Sequence, residues 1–290
     1  MPERAVPGWV DPGWVVVTGT GAGPPVLLVG TTVASWDDAF CARLTGHRVV
    51  RYDLRDTGRA DVVEPRAPAY TLRDLVADAA GLLPGPAHVV GLGVGGWIAQ
   101  LLALDHPASV ATLTLIGTRP TASGPNDPDL PEHGDDVLAY LVNATEPDWT
   151  DRTAVLDHMT EHARHLAGPG RFDEIDARAR AGRVFDRAAG RGAAVQRASQ
   201  AATVFAALDC RPRWRERLGA ITAPTLVVHG AHDPFFPLGN GEALAREIPG
   251  AGLLVLPDTG AGLPGHTHQR VATAILQHIG RSTAIAAGRS

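Results

Sequence analysis

Cysteine is nearly absent from this chain: Cys41 and Cys210 are the only two in 290 residues. They stand far apart and fit no metal-ligand or redox spacing. That excludes a disulfide framework and a thiolate metal site, and leaves the expectation of two packed, reduced thiols in a cytoplasmic protein. An excess of positive charge is lacking too. Lys and Arg total 26 against 31 Asp and Glu, a formal net charge of −5, which argues against the basic face of a nucleic-acid binder. Long apolar runs are missing: the longest are strand-sized, so no membrane span is expected. Met1-Pro2-Glu3-Arg4 is followed by Pro and Gly instead of the apolar core of a secretory signal. Internal repeats and low-complexity tracts are absent as well. What remains is 44% hydrophobic and 20% charged residues, enough apolar surface for one large core or a core with an insertion.

Strand and helix patterns alternate along the first part of the chain. Trp14 to Val17 reads as an edge strand, and Val26-Leu27-Leu28-Val29 as a strand covered on both faces. Ser35 is expected to cap a helix through about Leu44. His47 to Tyr52 is the next strand, followed by the polar loop Arg51 to Arg59. Thr71 opens a helix to Leu83, with Leu72, Leu75, Val76, Ala79 and Leu82 at helical spacing. Ala111 to Ile116 is another buried strand. The alternation then stops: residues 119–219 hold no convincing strand, and stretches near 135–144, 151–167, 172–188 and 193–209 are helical in pattern. It resumes at Pro224 to Gly230, with a helix near 240–248, a strand at 252–256 and a last helix from about 267 to 279. The organisation is therefore α/β, with residues 1–118 and 220–290 forming the core and 119–219 a helical cap.

The most telling absence lies at the centre. His88 to Gln100 reads as a buried strand, a turn made almost wholly of glycine (Gly91, Gly93, Gly95, Gly96), and a helix. The tip of that turn, Gly93, has no side chain.

The order of elements and several motifs resemble the α/β-hydrolase superfamily, with a mostly parallel sheet and a helical cap. The similarity is greatest to its aromatic-polyketide (anthracycline-type) methylesterases. Four stretches carry it: Arg51 to Arg59, Gly91 to Gly96 with Ala103 to Pro107, His229 to Pro234, and Leu256 to Pro264. In that superfamily the turn after the central strand is the nucleophile elbow, G-x-S-x-G. The resemblance implies that the triad acid is Asp233, that the nucleophile position is Gly93, and that the histidine position of the loop Asp258 to Pro264 is Ala261. Glycine and alanine supply neither a nucleophile nor a base. The family's oxyanion hole is made by backbone N–H groups, here those of Thr31 and Val94, which do not depend on side chains.

Three residues are candidates for moving a proton. Asp233 is expected at the pocket floor, where burial raises its pKa, or as a carboxylate capping the amides of its own loop. His266 and His268 either swing back to replace the lost histidine or lie exposed on the first turn of the last helix. The His-x-His pair has no third ligand, so no metal is expected. His232 is assigned to loop packing, and Arg55, Asp56 and Arg59 to a structural turn. Trp36, Trp97, Phe235 and Phe236, with Trp149, Phe185, Phe205 and Trp214 of the insertion, either line a cavity for a flat polycyclic ligand or fill core.

The reading that follows is a cofactor-free, non-hydrolytic tailoring enzyme acting on a small polycyclic aromatic polyketide, closing a carbon–carbon bond by Michael-type addition over the retained oxyanion hole. Three alternatives stand beside it. One is a non-catalytic pseudo-hydrolase that binds such a metabolite. Another is a hydrolase with a displaced nucleophile, Ser35 or Thr31. The third takes Gly91-x-Gly93-x-x-Gly96 as a dinucleotide fingerprint, with Arg119 meeting a 2′-phosphate where an acidic ribose ligand is missing.

Overall fold

The computed structural model describes residues 17–122 and 127–287, the last three by backbone alone. Seven strands form one sheet: β1 Val17–Thr20, β2 Pro25–Val29, β3 Arg48–Tyr52, β4 Ala87–Leu92, β5 Val110–Ile116, β6 Thr225–Gly230 and β7 Gly252–Leu256. Their order is β1-β3-β2-β4-β5-β6-β7; β1 pairs antiparallel with β3 and every other neighbour is parallel. Of the expected first strand, Trp14 to Val16 lie outside the described residues, and the edge strand starts at Val17.

Helices α1 Asp38–Cys41, α2 Leu72–Leu82, α3 Gly95–Asp105, α9 Gly239–Glu247 and α10 His268–Ala287 accompany the sheet. Helices α4 Asp135–Asn143, α5 Arg152–Leu166, α6 Glu174–Arg187, α7 Ala193–Ala201 and α8 Val204–Ala207 lie between β5 and β6. Period-two alternation explains the two cores. Leu27 and Val29 of β2 face one cluster with α2, α3 and Trp214, while Val26 and Leu28 face the other with Trp36, Phe40 and α10. A third, small cluster around Trp149 and Phe185 belongs to the inserted helices alone.

The expected helix from Ser35 to Leu44 is shorter than its pattern suggests. Thr32 caps a single 3-10 turn, Val33–Ser35, and Asp37 caps α1 through the amide of Ala39. The expected helix 193–209 is broken at Ala202, whose φ of 51° is left-handed. Both cysteines are free thiols. Among the described residues no helix is long and apolar enough to cross a membrane.

Candidate functional site

β4 is the middle strand, and its C-terminal end delivers the glycine turn onto the edge of the sheet. Two of its glycines are there for space. A Cβ on Gly95 would stand 2.2 Å from the carbonyl oxygen of Val29, and one on Gly96 would stand 2.5 Å from Thr118 Oγ1. Gly93 differs. Its φ is +56°, the left-handed conformation of a sharp strand-to-helix turn, and a Cβ there would meet nothing within 4 Å. Hydrogen bonds hold the turn: Gly93 N–H donates to Ile116 at 3.0 Å and its carbonyl accepts from Gly96 N–H at 3.0 Å. The turn is therefore built and fixed, with vacant space where a side chain would project.

Thr31 follows β2 on the same edge. Its carbonyl accepts from Leu54 N–H at 3.2 Å and Thr57 Oγ1 at 2.8 Å, which fixes the peptide plane. Among the described residues neither Thr31 N–H nor Val94 N–H donates to an acceptor. Val94 is the N-cap of the eleven-residue α3, so the positive end of that helix dipole adds to its own donor.

A cavity of about 500 Å³ opens over this edge. Thr31, Ser35 and Leu92 contribute from the sheet side, Gly260 to His266 from the loop after β7, and α5, α6 and α7 from above. Its size suits a small-molecule ligand. Met159, His162, Phe172 and Arg180 in the roof escaped the sequence reading. The signal for Arg180 was available: it interrupts the buried stripe Ala177, Ala181, Val184 on α6. Burial pushes the His162 imidazole down to about 4, so it is neutral.

The predicted site residues separate around this cavity. Ala261 lines it, with its N–H donating to Leu166 at 2.8 Å. His266 lines it and is exposed, its Nε2 at 3.4 Å from Thr259 Oγ1. Asp233 is not on the cavity wall: it is 3% exposed, and its Oδ1 accepts the N–H groups of Phe235 and Phe236 at 2.9 and 2.8 Å. The carboxylate caps its own loop, as the second of its two expected roles had it. Burial raises its pKa to about 7, and the two amides only partly offset that. Its Oδ2 lies 3.9 Å from His229 Nε2, which is already committed to the Phe236 carbonyl at 2.6 Å. His268 is neither exposed nor in the cavity. Its ring packs edge-on against Phe40 at 5.5 Å and its Nε2 donates to the Leu263 carbonyl at 3.3 Å.

None of the four expected ligand-binding aromatics reaches the cavity, because large apolar rings gain more by filling core. Trp36 stacks on Phe40 at 5.8 Å, Trp97 meets Phe205 edge-on at 5.8 Å, and Phe235 stacks on His133 at 4.4 Å with Phe236 beside it. Arg119 holds its guanidinium over the Phe236 ring at 5.9 Å. Ser35 Oγ accepts from Thr32 N–H at 3.1 Å, and among the described residues no histidine bonds to Ser35 or Thr31. No group of three or more potential metal-ligating residues occurs among the described residues.

Buried polar contacts are among the ties that bind the inserted helices to the sheet. Arg187 of α6 pairs at 2.7 Å with Asp53, whose side chain is wholly buried and also accepts from Val33 N–H at 2.8 Å and Arg59 N–H at 3.0 Å. Ser199 Oγ accepts from Gly58 N–H at 2.9 Å. Arg55 pairs with Asp78 at 2.7 Å and Asp56 accepts from Tyr70 Oη at 2.8 Å, so the polar loop is structural.

Comparison with known proteins gives a consistent result. Residues 24–263 match the family described as alpha/beta hydrolase fold. The chain is 31% identical to rhodomycin D methylesterase of Streptomyces peucetius, over 98% of this chain and all of that protein. A putative carbamate hydrolase of Variovorax paradoxus is also 31% identical, over 89% of this chain and 91% of that one. Among solved structures, a bromoperoxidase from Bacillus anthracis aligns with a TM-score of 0.69 at 20% identity, covering 91% of this chain and 95% of that one. A meta-cleavage product hydrolase from Pseudomonas fluorescens aligns at 0.67 and 20% identity, over 92% and 94%.

Proposed function

The chain belongs to the alpha/beta hydrolase fold family, and from that membership we propose that it is a non-hydrolytic enzyme acting on a polycyclic aromatic polyketide, closing a carbon–carbon bond. One observation carries this reading: an elbow built like a nucleophile's, at Gly93, that presents no nucleophile. The substrate class comes from the relatives whose name gives rhodomycin D as what they act on.

The remaining groups suit enolate chemistry. A donor carbon loses its proton, and the oxyanion formed is held by the N–H groups of Thr31 and Val94 at the α3 N-terminus. The carbanion adds to a conjugated acceptor, the acceptor's π bond opens, and the proton returns to the carbon beside its carbonyl. Substrate and product have equal mass. His266 is the proton carrier in this scheme, because it is the one predicted acid or base on the cavity wall; Asp233 lies behind the loop and holds it. The inserted helices exclude water from the enolate.

The test is conversion of polycyclic aromatic polyketide substrates followed by chromatography and mass spectrometry. A new product of unchanged mass supports the reading, and His266→Ala is expected to slow its formation by about 100-fold. The double variant Gly93→Ser with Ala261→His is expected to gain cleavage of a methyl ester that the parent lacks. Ester hydrolysis by the parent itself, abolished by Ser35→Ala, would overturn the proposal. So would tight binding with no conversion of any such substrate, which would leave a binding protein.

A further inference from the structure

Four arginines lie along α6, and three of them have a carboxylate close by. Arg178 meets Asp157 at 2.5 Å, Arg183 meets Asp37 at 2.8 Å and Arg187 meets Asp53 at 2.7 Å. Arg180 is the exception. Its nearest carboxylate is Asp176 at 3.8 Å, beyond hydrogen-bond reach, and Asp176 is already approached by Gly265 N–H at 3.4 Å. Among the described residues Arg180 forms no hydrogen bond to a protein acceptor. Its side chain stays 34% accessible, and it lines the cavity roof beside Phe172, Ala177 and Val184.

A guanidinium so placed is only partly solvated and has no matched acceptor in the protein alone. Burial strips water from it and pulls its pKa below the usual value, with the charge of Arg183 adding to the effect and Asp176 opposing it. It remains a cation, because arginine keeps its proton in proteins. A partly buried cation with free donors, lining a cavity, is satisfied by an anion entering that cavity. Its planar fork matches a carboxylate with two parallel N–H to O bonds. The other arginine on this wall, Arg171, is matched with Asp258 at 3.0 Å.

We infer that Arg180 is a specificity-determining residue that recognises a carboxylate on the ligand, so that this cavity takes a polycyclic aromatic acid in preference to its neutral ester or amide. The inference rests on the reading of the cavity as an aromatic-polyketide site and names the charge state of its ligand.

Binding of anthraquinone-2-carboxylate, its methyl ester and its carboxamide, measured by calorimetry on the full chain, tests this. Wild type is expected to bind the carboxylate at least about tenfold tighter than either neutral analogue. Arg180→Gln should abolish that preference while leaving carboxamide affinity and melting temperature unchanged. Arg180→Lys, which keeps the charge, and Arg171→Gln, which removes a matched arginine from the same wall, should both retain it. Equal affinity of wild type for the three probes, failure to bind the carboxylate, or a preference that survives Arg180→Gln overturns the inference. The measurement needs no turnover. A carboxylate preference in a protein that converts nothing would keep the role of Arg180 and sink the catalytic reading, whereas conversion of neutral substrates alone would do the reverse.

Discussion

Two loops on the same edge of the sheet, the turn after β4 and the loop after β7, carry small residues, Gly93 and Gly260-Ala261, in different surroundings. The turn after β4 keeps its shape and its room: Gly93 sits at φ +56° with no atom within 4 Å of a virtual Cβ. The loop after β7 has been closed in. A Cβ on Gly260 would lie 2.0 Å from the carbonyl oxygen of Leu166, and Ala261 N–H is bonded to that same oxygen at 2.8 Å. Gly93 is open, whereas beside Ala261, which itself lines the cavity, the backbone of Gly260 is clasped by the end of α5. The contrast teaches that a position without a side chain is not by itself free space; what matters is how near the neighbouring backbone stands.

The largest effect that would break this contrast involves the carboxylate behind the clasped loop. Because burial raises the Asp233 pKa to about 7, the folded state holds its proton after the unfolded chain has released it. The contribution of Asp233 to stability is therefore full below about pH 4 and falls as pH rises to about 7, by on the order of 4 kcal/mol, then levels off. Asp233→Asn should flatten that slope in urea titrations across the window, since an amide oxygen still accepts from Phe235 and Phe236. An unchanged slope would mean that Asp233 is hydrated. Next in size, Gly260→Ala should cost about 3 kcal/mol, because backbone and not a flexible side chain occupies the space. Gly93→Ala should cost only about 1 kcal/mol, the penalty of a left-handed φ without a clash. Equal losses in denaturant for these two variants would erase the distinction between vacancy and clasp. Smallest of all, Arg171→Ala removes an exposed pair with Asp258 and should cost less than about 1 kcal/mol, vanishing in high salt.

Much of the fold was legible. Unbroken apolar runs such as Val26 to Val29 announce a strand covered on both sides, and Thr71 with Asp74 forms the capping box its helix start implies. The misses have local causes. Asp37 and Thr32 compete with Ser35 for a helix start and split the segment. Ala202 adopts a left-handed φ that no residue type there signals. The bare turn at Gly93 could be read from its neighbours, because strand, glycines and helix are contiguous in the chain. The cavity could not. Its wall draws on Thr31, Phe172, Arg180 and His266, which sequence separates by up to 235 positions, and the rings expected there went to core. His268 looked like a surface residue from its polar neighbours, yet the helix turn carries it under Phe40.

The Arg187–Asp53 pair has a last consequence, for traffic. Lifting the inserted helices as a lid would strand two opposite charges in a dry interior, at about 3–5 kcal/mol for the broken pair. Toward the other end of α6 the roof is tied to the sheet side by the Arg183–Asp37 pair at 2.8 Å, the exposed Arg171–Asp258 bridge, the long Gly265–Asp176 bond and, from the end of α5, the Leu166 carbonyl that accepts from Ala261 N–H. The roof is therefore fastened by a dry, buried pair at one end and by wetter, more exposed ties toward the other, the end where His266 lines the cavity.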